Sequence, residues 1–305
     1  MPNVWTHILF SEDVLDHIQT PKEIKRADSH IHLGAQGPDP FFYYHFLPWQ
    51  RDKTVEQLGL AMHTKQCGPF LLDLIIEAKD APIATQAYVL GFITHHILDR
   101  NTHPYIHYLA GYEANKHQKL EVLIDTLMMK QYRNVDTWQT PVHKLLYVGL
   151  HLPTATTELL ERLIDKHYKE ETRELPPRYV QRSYEDMKRA LRLLYDPWGW
   201  KNTLFPTLVS PFSYRPYEDH LDLLNNNSNT WYHSATNEPS TKSFHDLYKE
   251  AWGEGKRVVS ATLTYWENPT PSREAVLERL IQNISYDTGK PVELEMSNHY
   301  SCPIL

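Results

Sequence analysis

Apolar residues recur at steps of three and four along most of the chain, which is the spacing of an amphipathic α-helix. The clearest examples lie in residues 117–133, 156–168, 184–196 and 273–284. Strand-like alternation is nearly absent, and 258–266 is the one stretch that fits either a helix or a strand. The pattern therefore predicts an all-α protein built as a multi-helix bundle.

Capping and breaking residues predict further helix boundaries. Ser11, which two acidic residues follow, is expected to cap a short helix that ends before Pro21. Thr54 is expected to begin a helix that ends near Gly68. A long helix is predicted over residues 83–99.

A polar loop at about residues 223–240 interrupts the helical pattern. The 305 residues, 41% of them hydrophobic, are enough to form a sizeable core. We predict a helical domain at 1–225 and a C-terminal helical extension at 226–305 that packs on the same body.

Charge and cysteine usage narrow the class of protein. A formal net charge of -7 and the lack of a basic stripe argue against general nucleic-acid binding. Cys67 and Cys302 lie far apart in the sequence and suit a reducing compartment. We find neither a secretory signal nor an apolar run long enough to span a bilayer. These features favour a cytoplasmic protein and carry no signal for its oligomeric state.

Histidine is concentrated in residues 91–108, which hold four of the 18 histidines in the chain. If 83–99 is helical, His95 and Asp99 lie one turn apart on the same face and can bind one divalent cation. His96 points elsewhere on this helix. Metal binding, proton relay and simple packing all remain possible explanations of the cluster.

A second pair with the same spacing begins the next predicted helix, where His117 precedes Glu121 by four residues. A single histidine–carboxylate pair at this spacing also occurs as an exposed ion pair on a helix surface. Two such pairs on consecutive helices favour a multinuclear metal site. His103 precedes Pro104, and a residue before proline disfavours the helical conformation. We therefore expect His103 just beyond the helix end, facing the same pocket.

Three more candidate ligands lie upstream. His7 lies in an apolar run ahead of the first predicted helix. Asp39 lies between two prolines in an aromatic-rich loop, where it is either a turn residue or a positioned ligand. His63 lies in a helical turn, where a lone histidine is more often a core residue.

Taken together, these residues resemble the bacterial zinc-dependent phospholipase C family over roughly the first 125 positions. The order is similar: an early histidine, a loop aspartate, a helical histidine, an HxxxD helix, a further histidine and an HxxxE helix. Position by position, the resemblance implies that the metal ligands are His7, Asp39, His63, His95, Asp99, His103, His117 and Glu121.

Two features depart from the family pattern. Members start their mature chain with a tryptophan whose amino group binds a metal, whereas the tryptophan here is Trp5. The histidine after the HxxxD aspartate comes only four residues later, so His107 is the alternative to His103.

The resemblance implies hydrolysis of a phosphodiester by metal-activated water, with two or three zinc ions or other divalent metals as cofactors. The expected partner is a small-molecule phosphoester or a phospholipid head group. Asp39 either ligates a metal or accepts the proton of the attacking water, as the catalytic residue. The aromatic residues 41–44 either line the substrate site or pack in the core.

Two alternatives remain open at this point. One is a nuclease or nucleotidase, because single-strand-specific nucleases share the same all-α scaffold. The other is a metal-binding protein that has no catalytic activity.

Overall fold

The computed structural model describes residues 3–47, 49–50, 52–113 and 115–305. The regular secondary structure of these residues is almost entirely α-helical. The prediction of an all-α bundle is confirmed. Within the described residues the helices are α1 (Val4–Asp16), α2 (Lys22–Lys25), α3 (Asp28–Gly34), α4 (Thr54–Thr64), α5 (Cys67–Glu77), α6 (Ile83–Ala110), α7 (Lys116–Arg133), α8 (Thr154–His167), α9 (Tyr179–Leu194), α10 (Trp200–Leu204), α11 (Pro206–Val209), α12 (Phe244–Glu267) and α13 (Pro271–Ile281).

The long helix α6 is the structural centre of the bundle, and it contacts α1, α3, α7 and α12. Apolar side chains such as Val89, Ile93 and Ile97 are fully buried along it. His95 and Asp99 are fully buried on the same helix. A helix surrounded by other helices on several sides must be mostly apolar, so ionisable side chains inside it require a specific partner.

The first helix begins earlier than Ser11, so the predicted cap at this residue is wrong. The Asn3 side chain accepts a hydrogen bond from the Val4 amide at 2.8 Å and caps α1. The Ser11 hydroxyl donates to the Ile8 carbonyl at 2.8 Å within the helix. As a result His7 lies inside α1 rather than ahead of a helix.

The helix end predicted near Gly68 comes four residues earlier, and a second helix already includes Gly68. α4 ends at Thr64, Gln66 takes a left-handed conformation, and α5 begins at Cys67. Pro69 falls in the first turn of α5, where its missing N–H group has no helical partner to lose.

The helix predicted over 83–99 continues to Ala110 and contains Pro104. His103 therefore lies inside α6, not beyond its end as expected. A proline within a helix costs about 3 kcal/mol. The residues just before and just after Pro104 are buried, and their packing outweighs that cost. Pro104 faces the carbonyl of Arg100, one turn earlier in α6. The backbone of Gly289, at a φ of +60°, packs closely against this same carbonyl.

The stretch 258–266 is helical and belongs to α12. A capping box of Ser243 and Asp246 starts this helix. Before it, β1 (Trp231–Tyr232) pairs with β2 (Pro239–Ser240) in a short antiparallel hairpin. α12 contacts α1 and α6, and α13 contacts α5. The boundary at residue 225 stays a prediction.

Helices α3 and α6 cross with their backbones in contact, and two glycines make this possible. A Cβ atom on Gly91 would overlap the Ile31 carbonyl, and one on Gly34 would overlap the Tyr88 carbonyl. The crossing brings the α3 end and the loop after it, which carries Asp39, close to the face of α6 that holds His95.

We expect Gly91→Ala to lower the free energy of unfolding by about 1–3 kcal/mol, because the added methyl group forces the two helices apart. Gly253→Ala is the matched control, since a Cβ atom there meets only the flexible end of Arg257 at 3.8 Å. It should leave stability unchanged or raise it by up to about 1 kcal/mol. Urea denaturation measures both, and equal effects of the two variants would contradict the close crossing.

Candidate metal centre

Helix α6 places three ligand-type side chains on one face. His95, Asp99 and His103 are spaced by four residues each, so successive turns carry them above one another. All three are at most 2% exposed. This row exists only because α6 continues through Pro104.

Asp99 lies at the centre of the cluster. Its Oδ1 is 3.3 Å from His7 Nε2, and its Oδ2 is 3.0 Å from His95 Nε2. The same Oδ2 is 3.8 Å from both His63 Nε2 and His103 Nε2. One carboxylate thus faces four imidazoles that come from three helices, α1, α4 and α6.

The 3-10 turn Asp39–Tyr43 and helix α4 add a second group of ligand-type atoms. Asp39 Oδ1 is 3.4 Å from His63 Nε2 and 3.9 Å from His95 Nε2. The Asp39 side chain is 10% exposed, whereas Asp99 is fully enclosed. Asp39 therefore lies nearer the outside of the cluster.

Backbone carbonyls orient two of the imidazoles. His63 Nδ1 is 2.7 Å from the Gly59 carbonyl, and His95 Nδ1 is 3.1 Å from the Ala35 carbonyl. These contacts assign the ring proton to Nδ1 and direct the Nε2 lone pair toward the carboxylates, the usual arrangement around a protein-bound metal. Gly37, with φ at +50°, is needed because a Cβ atom there would overlap the His95 ring.

A third group joins α6 to α7. His117 Nε2 is 2.6 Å from Glu121 Oε1, and the His103 and His117 rings are 5.7 Å apart. The structure therefore brings all eight predicted ligands into three adjacent groups. They are His7, His95 and Asp99; Asp39, His63 and His95; and His103, His117 and Glu121, with the ligand atoms of each group within 4.8 Å of one another.

The donor set fits divalent cations. Both oxygens of Asp99, Oδ1 of Asp39 and the Nε2 atoms of His7 and His95 are buried, and their close polar neighbours are other imidazoles and carboxylates of the cluster, without good hydrogen-bond geometry. Buried polar atoms without well-formed hydrogen bonds are rare in proteins and need an explanation. Imidazole nitrogens and carboxylate oxygens are ligands that zinc accepts, and bound cations would neutralise the buried carboxylates.

The local electrostatics agree with this fit. Burial raises the pKa of the Asp99 carboxyl, but the imidazoles of His95, His103 and His7 outweigh that effect and hold the pKa well below its usual range. Burial lowers the pKa of His7 and lowers that of His103 to about 4. Both directions favour the unprotonated forms of carboxyl and imidazole, which are the forms that bind metals.

The structure also separates the predicted ligands from their neighbours. His96 Nε2 is 3.1 Å from an Arg100 guanidinium nitrogen, away from the carboxylates, as expected. His103 Nε2 lies 3.8 Å from Asp99, whereas His107 lies beside Asp287, and the choice of His103 as the ligand stays a prediction. Phe41 is buried in the core, whereas the Phe42 ring lies 5.4 Å from that of His63.

Trp5 does not add a ligand through its main-chain nitrogen. That nitrogen is a peptide N–H that donates to Asp125 Oδ2 at 2.9 Å. Asp125 also accepts hydrogen bonds from Thr6 and from the Tyr214 hydroxyl, and burial raises the pKa of its carboxyl to about 6. This aspartate anchors the start of α1 and so positions His7.

Sequence reasoning missed Asp125 and also Asp287, which lies beside His103 and His107. Asp125 follows Ile124 in an apolar stretch of α7. A carboxylate within such a stretch is a signal in the sequence that could have identified it. Asp287 is in a C-terminal loop, and nothing local in the sequence connects it with α6.

The fold is thus an all-α bundle in which adjacent buried groups of imidazoles and carboxylates could hold metal ions. The family model for zinc-dependent phospholipase C matches residues 6–190, a range that contains all eight predicted ligands. The chain belongs to this family, and the predicted resemblance is confirmed. At the family level the membership supports a metal-dependent phosphodiester hydrolase.

Comparison with curated proteins gives no match, and comparison with solved structures gives none either. None of the described helices combines the length and apolarity that crossing a bilayer requires.

Proposed function

We propose that the protein hydrolyses a phosphodiester of a small molecule or a phospholipid head group, using two or three zinc ions. The observation that carries this proposal is the position of Asp99, whose carboxylate faces His7, His63, His95 and His103 at 3.0–3.8 Å. A single carboxylate shared between neighbouring groups of imidazoles sets the spacing of a multinuclear site.

Each group of the cluster has its own part in this proposal. His7, His95 and Asp99 would hold one ion, Asp39 and His63 with His95 or Asp99 a second, and His103, His117 and Glu121 a third. When bound, the ions lower the pKa of water and neutralise charge on the phosphoryl oxygens. The protein holds the ligands in fixed positions through Gly59, Ala35 and the rigid helix α6.

Asp39 is the residue that we propose for proton transfer. Its Oδ1 is buried, lies 3.4 Å from His63 Nε2, and is at the outer side of the cluster. It either ligates a metal or accepts the proton of the attacking water. The Phe42 ring, beside His63, would form part of the apolar wall next to the substrate.

The family membership favours a phospholipid substrate, and the net charge of -7 counts against an extended nucleic acid. The cytoplasmic location stays a prediction from the two cysteines, which are both free.

A substrate panel tests the proposal. Zinc-loaded protein should release nitrophenol from p-nitrophenylphosphorylcholine and diacylglycerol from phosphatidylcholine micelles. Metal-free protein is the matched control and should be inactive. Cleavage of single-stranded DNA or RNA without cleavage of the lipid would support the nuclease alternative instead. A zinc-loaded protein that hydrolyses none of these substrates, nor bis-p-nitrophenyl phosphate, would support a non-catalytic metal-binding protein.

A further inference from the structure

Asp287 is a carboxylate in direct contact with the metal centre but outside the region 6–190 that the family model covers. Its Oδ1 lies 3.4 Å from His103 Nδ1 and 3.4 Å from His107 Nε2. These two histidines are one turn apart on α6, so the carboxylate spans the final turns of that helix.

The loop that carries Asp287, residues 284–291, is anchored to the site on several sides. Its ends pair with each other through an isolated antiparallel bridge between Ile284 and Pro291. The Tyr286 amide donates to the His63 carbonyl at 2.8 Å, and the Ser285 hydroxyl donates to the same carbonyl at 3.2 Å. The loop is therefore attached to α4, immediately behind one predicted metal ligand.

Two further contacts fix the position of this loop relative to α6. Gly289 packs against the Arg100 carbonyl, where any larger residue would overlap the helix backbone. The Tyr286 ring is buried and lies 4.6 Å from the His96 ring and 5.7 Å from the His95 ring. The loop is thus fixed to the rest of the protein on both sides of Asp287, which places this residue beside His103.

The Nδ1 atom of His103 differs from those of the other oriented ligands. His63 and His95 place Nδ1 beside backbone carbonyls, whereas His103 places Nδ1 beside a carboxylate. A carboxylate in this position keeps the proton on Nδ1 and turns Nε2 toward the opposite side. In this structure the opposite side is Asp99, 3.8 Å from His103 Nε2.

We propose that Asp287 is a positioning residue of the metal centre. It holds His103 in the orientation and tautomer that present Nε2 to a cation shared with His117 and Glu121, and its contact with His107 keeps the carboxylate in place. The C-terminal extension thus completes a site whose ligands all lie in the family region. The inference rests on the proposed function only for the presence of bound metal.

The experiment compares metal binding by the full-length wild type, Asp287→Ala, Asp287→Asn and Asp287→Glu. Zinc affinity is measured by competition with a chromophoric chelator, and stoichiometry is measured at saturating zinc. Glu293→Gln is the matched control, because Glu293 is an exposed carboxylate of the same C-terminal region that contacts Asn283 instead of the site.

Removal of a carboxylate behind a ligating histidine typically costs about 10–100-fold in metal affinity. We expect Asp287→Ala and Asp287→Asn to weaken the most loosely bound zinc by that factor while full stoichiometry is still reached at saturation. Asp287→Glu should recover most of the affinity, and Glu293→Gln should match the wild type. The Asn variant keeps the shape of the side chain, so it reports on binding even if the Ala variant does not fold.

Zinc affinities of Asp287→Asn within about twofold of wild type would overturn the inference. Loss of one whole zinc at saturation would overturn it as well, because Asp287 would then be a ligand of a separate ion with His107. A wild type that binds no metal refutes both this inference and the proposed function. A wild type that binds zinc but hydrolyses no substrate refutes the proposed function alone, since the affinity ratios still test Asp287.

Discussion

Asp99→Asn is expected to remove at least one metal ion and to lower phosphodiesterase activity by on the order of a hundredfold or more, the scale of several kcal/mol that organised metal catalysis contributes. Asparagine keeps the size of the side chain but removes its charge and one good oxygen ligand. Because Asp99 faces all three predicted groups, its substitution disturbs the spacing of the whole centre.

His96→Ala is the control for this prediction. His96 is as buried as Asp99 and lies on the same helix, but its ring contacts Arg100 and Tyr286. We expect a loss of stability with full metal content, and a much smaller loss of activity per folded molecule. Metal content by mass spectrometry and initial rates on a chromogenic diester give both quantities. Wild-type activity and metal content in Asp99→Asn would show that the site has been assigned to the wrong residues.

Removal of metal by a strong chelator is expected to lower the melting temperature by roughly 4 °C or more. A ligand at a hundred times its Kd stabilises the native state by about 2.7 kcal/mol, and each kcal/mol corresponds to about 1.5–2 °C in a chain of this length. The metal-free protein must keep the Asp99 and Asp39 carboxylates buried without the cations that neutralise them, which adds to the loss.

Differential scanning calorimetry before and after chelation measures this effect, and added zinc should restore the original melting temperature. Asp99→Asn serves as the matched control, because a centre that has already lost an ion should respond less to the chelator. An unchanged melting temperature after confirmed metal loss would show that the histidine cluster contributes nothing to stability through metal binding.

Local sequence was sufficient for the helical architecture. The periodic segments at 117–133, 156–168, 184–196 and 273–284 correspond to α7, α8, α9 and α13, because amphipathic periodicity is a property of neighbours along the chain. The pairs His95–Asp99 and His117–Glu121 were visible for the same reason, since four-residue spacing places two side chains on one helix face.

Errors in the local prediction arose where packing outweighs backbone preference. Pro104 predicts the end of a helix, yet α6 continues past it because the surrounding helices bury this segment on several sides. The break predicted at Gly68 and Pro69 occurs a few residues earlier, and both residues lie in the first turn of α5, whose apolar residues Phe70 and Leu71 are buried. In both cases the energy that decides the conformation comes from residues distant in sequence.

The sequence by itself determined the helix-forming segments, the ligand types and their order along the chain. Only the tertiary structure decided which atoms meet: Asp99 with four imidazoles, Asp125 with the start of α1, and Asp287 with His103. Helical periodicity acts over one turn and is written in local spacing. The contact of Asp287 with His103 joins residues more than half the chain apart, and depends on how α4, α6 and the 284–291 loop pack together.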